Sequence, residues 1–412
     1  MHEADGPALI RRVLMCRDVE VLEFTFDCRT RRTTGKTRLV SPADLPLGCL
    51  DTRGRFSRSR LDGWIEMRAI PPTRQGIEPV LRRLNLMSPA ELLDSGSALS
   101  LSDQYWLRPV GSDVAWRDVN FFDNDFPSAL GEALVPRDPS SRESFRNLVD
   151  VTIAASSPDA ALGGNLPKRW EARDGMRVMV KSAKQANMFQ EPLNEYMTTR
   201  LCERIFEPGD FVPYGLEPSS WPEYVSVCPC MVDANEELVS AFDVLRSHPK
   251  DNALSLYERF ARICELHGLR DARVQLAKML VLDHVIANFD RHWGNFGIIR
   301  DSDSHEWLRV APIYDNGESF FCDQFQSNIF KPYRSHAWMP FSRRVDEQLA
   351  RYAESLSWLD PSGLNLFVRD DLPNLLSRSS FIRSMPGRIE AVCGAVQRRT
   401  AEVLATAGIA RA

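Results

Sequence analysis

The sequence predicts an α+β chain built as two lobes, one sheet-bearing and one helical, with a further α+β domain in front of them. Three observations predict it. An apolar segment from Asp271 to Ala287 reads as a core helix that runs into Asn288-Phe-Asp-Arg-His-Trp-Gly-Asn295, a short hairpin and Ala311-Pro-Ile-Tyr-Asp-Asn-Gly317. A strand, Arg177-Val-Met-Val-Lys181, ends in a lysine and precedes a helix from Glu191 to Ile205. The third is length, because 412 residues exceed one small core and two or three units are expected.

Composition sets limits before any motif is weighed. Hydrophobic residues make up 43% of the chain and charged residues 26%, the balance of an ordinary globular protein. A net charge of −5 gives no basic surface, so direct nucleic-acid binding is not expected. The clusters Arg11-Arg12, Arg29-Thr-Arg-Arg32 and Arg343-Arg344 are short and read as solvated faces. The nine cysteines are scattered; only Cys228-Pro-Cys230 is close-set, and without two further ligands nearby it is a poor zinc site. Free, mostly buried thiols in a reducing compartment are the reading. Arg273, Lys278, Asp283 and His284 interrupt the best apolar stretch, which is therefore a core helix and not a membrane span. No signal peptide is recognised. A cytoplasmic protein without membrane contact is expected.

The first domain, 1–145, opens with alternating apolar and charged positions, and Val19, Val21, Phe24 and Phe26 mark one or two strands with a break in phase at Leu22. Arg29 to Lys36 reads as a turn and Pro42 to Pro46 as a breaker. Gly63 opens a helical region, Ile77 to Leu84 is a short amphipathic helix, and Ser88-Pro-Ala-Glu carries a Ser N-cap with Pro at the first helical position. The aromatics of Asn120-Phe-Phe-Asp-Asn-Asp-Phe126 suit a core or an interface. Periodicity breaks from Pro136 to Ser144.

Residues 146–233 make the sheet-bearing lobe. Gly163 and Gly164, among small residues between predicted strands, fit a loop whose amides lie on phosphates; a plain hairpin turn is the alternative. Lys181 ends the following strand, placed to pair nucleotide α- and β-phosphates. In the next helix Glu195 is chosen to fix that lysine, and Glu191 is the competitor, since its place also favours the helix N-terminus electrostatically. Tyr224 to Asp233 is a strand into a connector, where Met231 and Asp233 would offer backbone groups to an adenine.

In the helical lobe, 234–412, Leu254 to Leu266 is a helix, and Phe296 to Ile299 and Trp307 to Val310 are the arms of a hairpin. A hairpin returns the chain to its start, so Asp290 and Asn295 at one foot and Asp315 at the other should converge. An Asp, an Asn five residues on and an Asp beyond a hairpin is the layout of a phosphotransfer catalytic loop with its metal-binding Asp. Asp290 would be the base, and Asn295 and Asp315 would hold Mg2+, a hard ion that completes its shell with phosphate and water. His292 is read as structural, donating to a backbone carbonyl to hold the loop. Residues 318–344 take the place of an activation segment. From Asp346 the chain is helical, its last helix starting near Pro386.

These residues resemble the HipA-like serine/threonine kinases of bacteria. The resemblance rests on Gly163-Gly-Asn-Leu-Pro-Lys168, Lys181, Asn194-Glu195 and, most specifically, Asn288-Phe-Asp-Arg-His-Trp-Gly-Asn295 with Ala311-Pro-Ile-Tyr-Asp315. It covers residues 150 to 400 and, loosely, Trp64 to Leu93 of the first domain. It implies a bilobal protein-kinase-like fold with a mixed sheet in its first lobe, and ATP bound with Mg2+ at Gly163, Gly164, Lys168 and Lys181. It further implies transfer to a Ser or Thr hydroxyl of a protein such as a translation component, and a DNA-binding antitoxin as partner. In such kinases phosphorylation of a serine in the Gly-rich loop often ejects that loop; here the nearest serines, Ser156 and Ser157, lie upstream of Gly163. Two other readings share these features, a small-molecule or lipid kinase and a kinase-shaped regulator that does not turn over.

Overall fold

Two strands open the fold, the first burying Leu14 and Cys16 in one apolar cluster and Val13 and Met15 in another. β1 (Leu9–Cys16) and β2 (Val19–Asp27) pair antiparallel around a tight turn in which Arg17 is left-handed at φ 48°. The computed structural model describes residues 9–136, 143–331, 340–342, 345–352 and 356–408. The pairing steps from Leu14–Leu22 to Met15–Glu20, so Val21 is the extra residue of a bulge. That bulge is the break in phase, and it lets Val21 and Leu22 both be fully buried. β3 (Arg32–Leu39) and β4 (Tyr105–Pro109) complete the order β3-β2-β1-β4. The polar run expected to be a turn as far as Lys36 is a turn only to Arg31. Beyond it lies an edge strand, held because the amide and hydroxyl of Thr33 donate to the buried carboxylate of Asp62.

Helix Arg58–Arg68 supplies that aspartate, starts earlier than Gly63, and packs Leu61 and Ile65 against Leu14, Leu22 and Phe24. Helix Pro89–Ser95 is capped reciprocally: Ser88 accepts from the Glu91 amide, and the Glu91 carboxylate accepts from the Met87 amide at 2.9 Å. Phe121, Phe122 and Phe126 join Trp106 and Trp170 in one apolar cluster. Of the expected break at Pro136 to Ser144, residues 137–142 lie outside the described residues.

A second sheet follows, of β5 (Lys168–Arg173), β6 (Met176–Lys181), β7 (Gly215–Pro218) and β8 (Tyr224–Pro229), in the order β5-β6-β8-β7. Mixed pairing is the expectation for this sheet, yet every pair is antiparallel. The reason is local. Asp174 and Gly175 are both left-handed, φ 49° and 78°, which makes the two-residue turn that folds a chain straight back. Helix Glu191–Ile205 lies against this sheet with Leu193, Met197 and Leu201 buried.

The third sheet, β9 (Glu236–Ser240), β10 (Gly297–Asp301) and β11 (Trp307–Val310), runs β11-β10-β9. Gly297 is required there, because a Cβ would stand 2.0 Å from the Val239 carbonyl oxygen. Helix Ala272–Ile286 runs through the centre of the helical lobe. Its Leu276, Leu280, Val281 and Val285 share a core with Phe260 of helix Leu256–Leu266 and with Val392 and Val396 of helix Arg388–Thr406. No helix of the described residues is long and apolar enough to cross a membrane.

The first unit is fastened to the start of the helical lobe, where the chain leaves the connector. Gln104 donates to the carbonyls of Ala234 at 3.0 Å and Glu236 at 2.7 Å, and the Leu238 amide donates to Ser102 O at 2.9 Å. Arg17 reaches Asn235, Ser302 and Asp303.

Leu280 tests the helical core. Leu280→Ala should cost about 2–5 kcal/mol by emptying a closed site, read as a lower denaturant midpoint at unchanged slope; a loss within error would show that this helix is not central.

Candidate active site

Lys181 stands at the last position of β6, opposite Lys168 on β5, so the two side chains share a face. Its ammonium donates to Glu195 Oε1 at 2.8 Å, to Asp315 Oδ1 at 2.7 Å and to the Tyr214 hydroxyl at 3.3 Å. The other oxygen of Glu195 accepts from the Asn316 amide at 3.0 Å. Of the two glutamates weighed from the sequence, Glu195 therefore meets the lysine. Glu191 turns the other way, accepting from the Lys184 amide at 3.3 Å and from Asn187 Nδ2 at 2.8 Å. Asn194 donates to the carbonyls of Gly317 and Ser319 at 2.7 and 2.9 Å, so one helix grips both the lysine and the Asp315 loop.

Helix Ala272–Ile286 ends at Ala287, left-handed at φ 52°, and this turns the chain into the Asn288–Asn295 loop. Asn288 donates to Asp283 Oδ1 at 2.9 Å and accepts from the Asp290 amide at 3.0 Å. Asn295 Nδ2 donates to Asp290 O at 2.9 Å, bringing the predicted base and one predicted metal ligand together. His292 is tied into the loop, but not as a donor to a carbonyl: its Nδ1 accepts from the Gly294 amide at 3.0 Å. Asp315, across the hairpin, is left-handed at φ 58°, a conformation that Asp tolerates better than most residues.

Sequence reasoning missed the residue that joins these loops. Arg291 has no exposed surface; it pairs with Asp283 at 3.0 Å and donates to Asn295 O at 2.7 Å, Tyr314 O at 2.5 Å and Asn316 Oδ1 at 2.5 Å. It also missed Tyr214, and the ion pair of Lys184 with Glu318, whose carbonyl accepts from the Phe289 amide at 3.1 Å. A charged residue one place after the predicted base, at the end of an apolar helix, was the one signal for Arg291.

The charges oppose one another. Burial works against the ammonium of Lys181, yet Asp315 and Glu195 raise it well above the ordinary lysine value. Burial also works against the Asp315 carboxylate, and Lys181 and then Lys168 outweigh it, holding the group well below the ordinary range. Glu195, whose side chain is fully buried, is pushed up by desolvation in spite of Lys181. Asp315, whose side chain is 34% exposed, is thus the carboxylate whose charge is better held. Burial, then the charges of Glu318 and Asp315, push Asp290 up to about 7. Burial takes Lys168 down to about 8 against the pull of Asp315.

The glycine loop is led into by helical turns, Val151–Ala155 and Pro158–Ala161, where a strand was expected, because Asp150 and Ser157 cap them with their side chains. Gly164 is left-handed at φ 82°, and a Cβ on it would stand 3.1 Å from Lys168 Nζ. Ser157 is fully buried and donates to Asp159, whereas Ser156 is exposed. On the connector, both backbone groups of Asp233 are engaged by Glu236, at 3.0 and 3.3 Å, so Asp233 does not present them to a ligand. Met231 has no backbone hydrogen bond among the described residues. Of the expected activation segment, residues 332–339 and 343–344 lie outside the described residues.

Among the described residues no group of three or more His, Cys, Asp or Glu could hold a metal. Asp315 with Asn295 offers one carboxylate and one amide, a donor set that fits only an ion completing its shell from phosphate and water.

An antiparallel sheet carrying a lysine, a helix supplying its glutamate and a helical lobe bearing two acidic loops define a bilobal protein-kinase-like fold. No family model matches the chain. The chain is 41% identical over 58 residues to the serine/threonine-protein kinase CtkA of Helicobacter pylori, a match to 12% of this chain and only 18% of that protein's length. Among solved structures it is similar to the H. pylori proinflammatory kinase CtkA, at 18% identity over 60% of this chain and 91% of that one, with a TM-score of 0.42. It is also similar to the HipA, HipB and operator DNA complex of Shewanella oneidensis, at 13% identity over 96% of each chain and a TM-score of 0.45.

Two measurements probe this geometry. Arg291→Met leaves Asp283 buried without its cation and should cost about 3–5 kcal/mol in chemical unfolding; a loss below about 1 kcal/mol would remove Arg291 from its central place. Since Glu195 acts through the Lys181 ammonium it holds, the losses of nucleotide affinity in Lys181→Met and Glu195→Gln should not add, the double variant binding about as weakly as the worse single one. Additive losses, or a larger effect from Glu191→Gln, would break the pair.

Proposed function

We propose that the chain is an ATP- and Mg2+-dependent phosphotransferase, a HipA-like serine/threonine protein kinase. The observation that carries this reading is Lys181 held between Glu195 and Asp315, with Asn295 and Asp290 on the loop that Arg291 ties to Asp315. ATP would supply the phosphoryl group, and Asn295 and Asp315 would hold the ion that neutralises its phosphate charge. In this reading residues 146–233 and 234–412 are the two lobes, with the domain 1–145 in front.

Each residue then has one task. Lys181 and Lys168 present cations to the phosphates, and the Gly163-Gly164 loop presents amides. Asn295 and Asp315 offer the oxygens that a hard ion takes. Asp290 orients the acceptor hydroxyl and receives its proton as the oxygen bonds to phosphorus and the bond to the leaving phosphate breaks. Phosphoryl transfer is mostly positioning and charge neutralisation, so the rigidity of these loops is itself a catalytic property. Met231 supplies the backbone contact to the adenine, in a connector where Asp233 is engaged elsewhere. The resemblance to HipA-like kinases is what implies a Ser or Thr hydroxyl on a protein as acceptor, a translation component among the candidates, and a DNA-binding antitoxin as the partner.

Asp290→Asn should lower phosphate transfer by about 10²–10⁴ while nucleotide affinity survives, and Asp315→Ala should be about as harmful through loss of the metal. Intact-mass spectrometry of the full chain incubated with ATP, magnesium and a Ser/Thr peptide library reads both. Retention of most of the rate in Asp290→Asn would sink the assignment, and transfer to sugars or lipids but not to peptides would move the reading to a small-molecule kinase.

A further inference from the structure

Behind the glycine loop stands a cation that none of the roles above employs. Arg74, in the loop between helices Arg58–Arg68 and Ile77–Arg83, is 2% exposed and forms no ion pair among the described residues. Its guanidinium donates to three successive backbone carbonyls, those of Leu162, Gly163 and Gly164, with Nε 2.8 Å from Gly164 O and Nη2 2.6 Å from Gly163 O. Nη1 is buried without a partner. Thr73 donates to Asn165 Oδ1 at 2.9 Å, and a Cβ on Gly163 would stand 2.7 Å from Met67 O. The first domain therefore touches the loop at each residue from 162 to 165.

The direction of these bonds matters. A trans peptide points its carbonyl and the next N–H in opposite directions. Carbonyls 162 to 164 turned onto Arg74 thus aim the amides of Gly163, Gly164 and Asn165 away from it. Among the described residues none of these three amides has an acceptor. Successive outward N–H groups make an anion nest only when the backbone is held in one conformation, and glycines hold none by themselves. The charge on Arg74 is poorly countered from its own side. Burial takes the guanidinium down to about 10, and Asp159, the one carboxylate acting on it, is itself pushed by burial up to about 7.

We propose that Arg74 is a positioning residue for nucleotide phosphates, fixing the carbonyls of Leu162, Gly163 and Gly164 so that three loop amides stay open as an anion cradle. The first domain is then part of the nucleotide site and not an appendage. This rests on the ATP reading above. Arg74 acts through the loop and touches no phosphate itself.

The test uses Arg74→Met and Gly163→Ala, which disturb the clamp from its two sides, with calorimetric titration of the full chain by magnesium-ATP and by adenosine. Affinity for ATP should fall at least about tenfold in both variants while that for adenosine stays within about twofold, and Arg74→Lys should recover part of the loss. Unchanged ATP affinity in both variants overturns the proposal. So does a parallel fall for ATP and adenosine, which would make Arg74 a packing residue only. If Arg74→Met does not fold, Gly163→Ala decides by the same readout. A wild-type chain that binds neither ligand removes the nucleotide reading and this proposal with it, and is seen before any variant is made.

Discussion

Arg291 lies where the end of helix Ala272–Ile286, the Asn288–Asn295 loop and the Asp315 loop meet, and its N–H groups are shared among all three. Taking a guanidinium and a carboxylate out of water costs several kcal/mol per ion, and the attraction between them repays it only when the remaining donors and acceptors are also satisfied. Asp283 is satisfied by Arg291 and by Asn288, and Arg291 by Asp283, by two carbonyls and by an amide oxygen. The set is closed. Displacing any one of the three segments leaves a buried charge exposed to nothing, so they move as one body. The left-handed turns at Ala287 and Asp315 are the local conformations this arrangement imposes on residues that bear a Cβ.

The sheet-bearing lobe reaches the same body from the other side. Glu195 holds the Asn316 amide with one oxygen and Lys181 with the other, and Asn194 holds the next turn of backbone. Near the rim, Lys184 pairs with Glu318, which is bonded back to the catalytic loop through Phe289. The cleft floor therefore answers to both lobes. Its cations and carboxylates nearly neutralise one another: burial and the neighbouring carboxylates raise Asp290, while Lys181 and Lys168 keep Asp315 ionised against its own burial.

Much of this was legible in the chain because it is local. A short apolar run, a turn-rich polar patch and a return strand mark the β10–β11 hairpin, a Ser-Pro-x-Glu pattern marks a helix start, and a strand ending in Lys before a helix marks the pairing of Lys181 with Glu195. What was not legible depends on partners far apart in sequence. The residues of β3 look like a turn until Asp62, 29 residues on, supplies an acceptor. The broken phase at Leu22 is a bulge that only the pairing with β1 reveals. Arg291 stands inside the Asn288–Asn295 motif with nothing local to mark its partners, and its burial follows from acceptors as far away as Asn316. Nor does a sequence tell which way a peptide plane faces, so Arg74, 88 residues from Leu162, carried no signal.

The bonds from Gln104, Arg17 and Ser102 to residues 234–238 have a mechanical consequence. A connector between lobes serves as a hinge when its backbone is free to twist, but here the backbone that leaves it, from Ala234 to Leu238, is splinted by a folded domain. Swinging one lobe away from the other would have to strip those bonds from a partly buried surface. Whole-lobe rotation therefore carries the cost of undocking a domain.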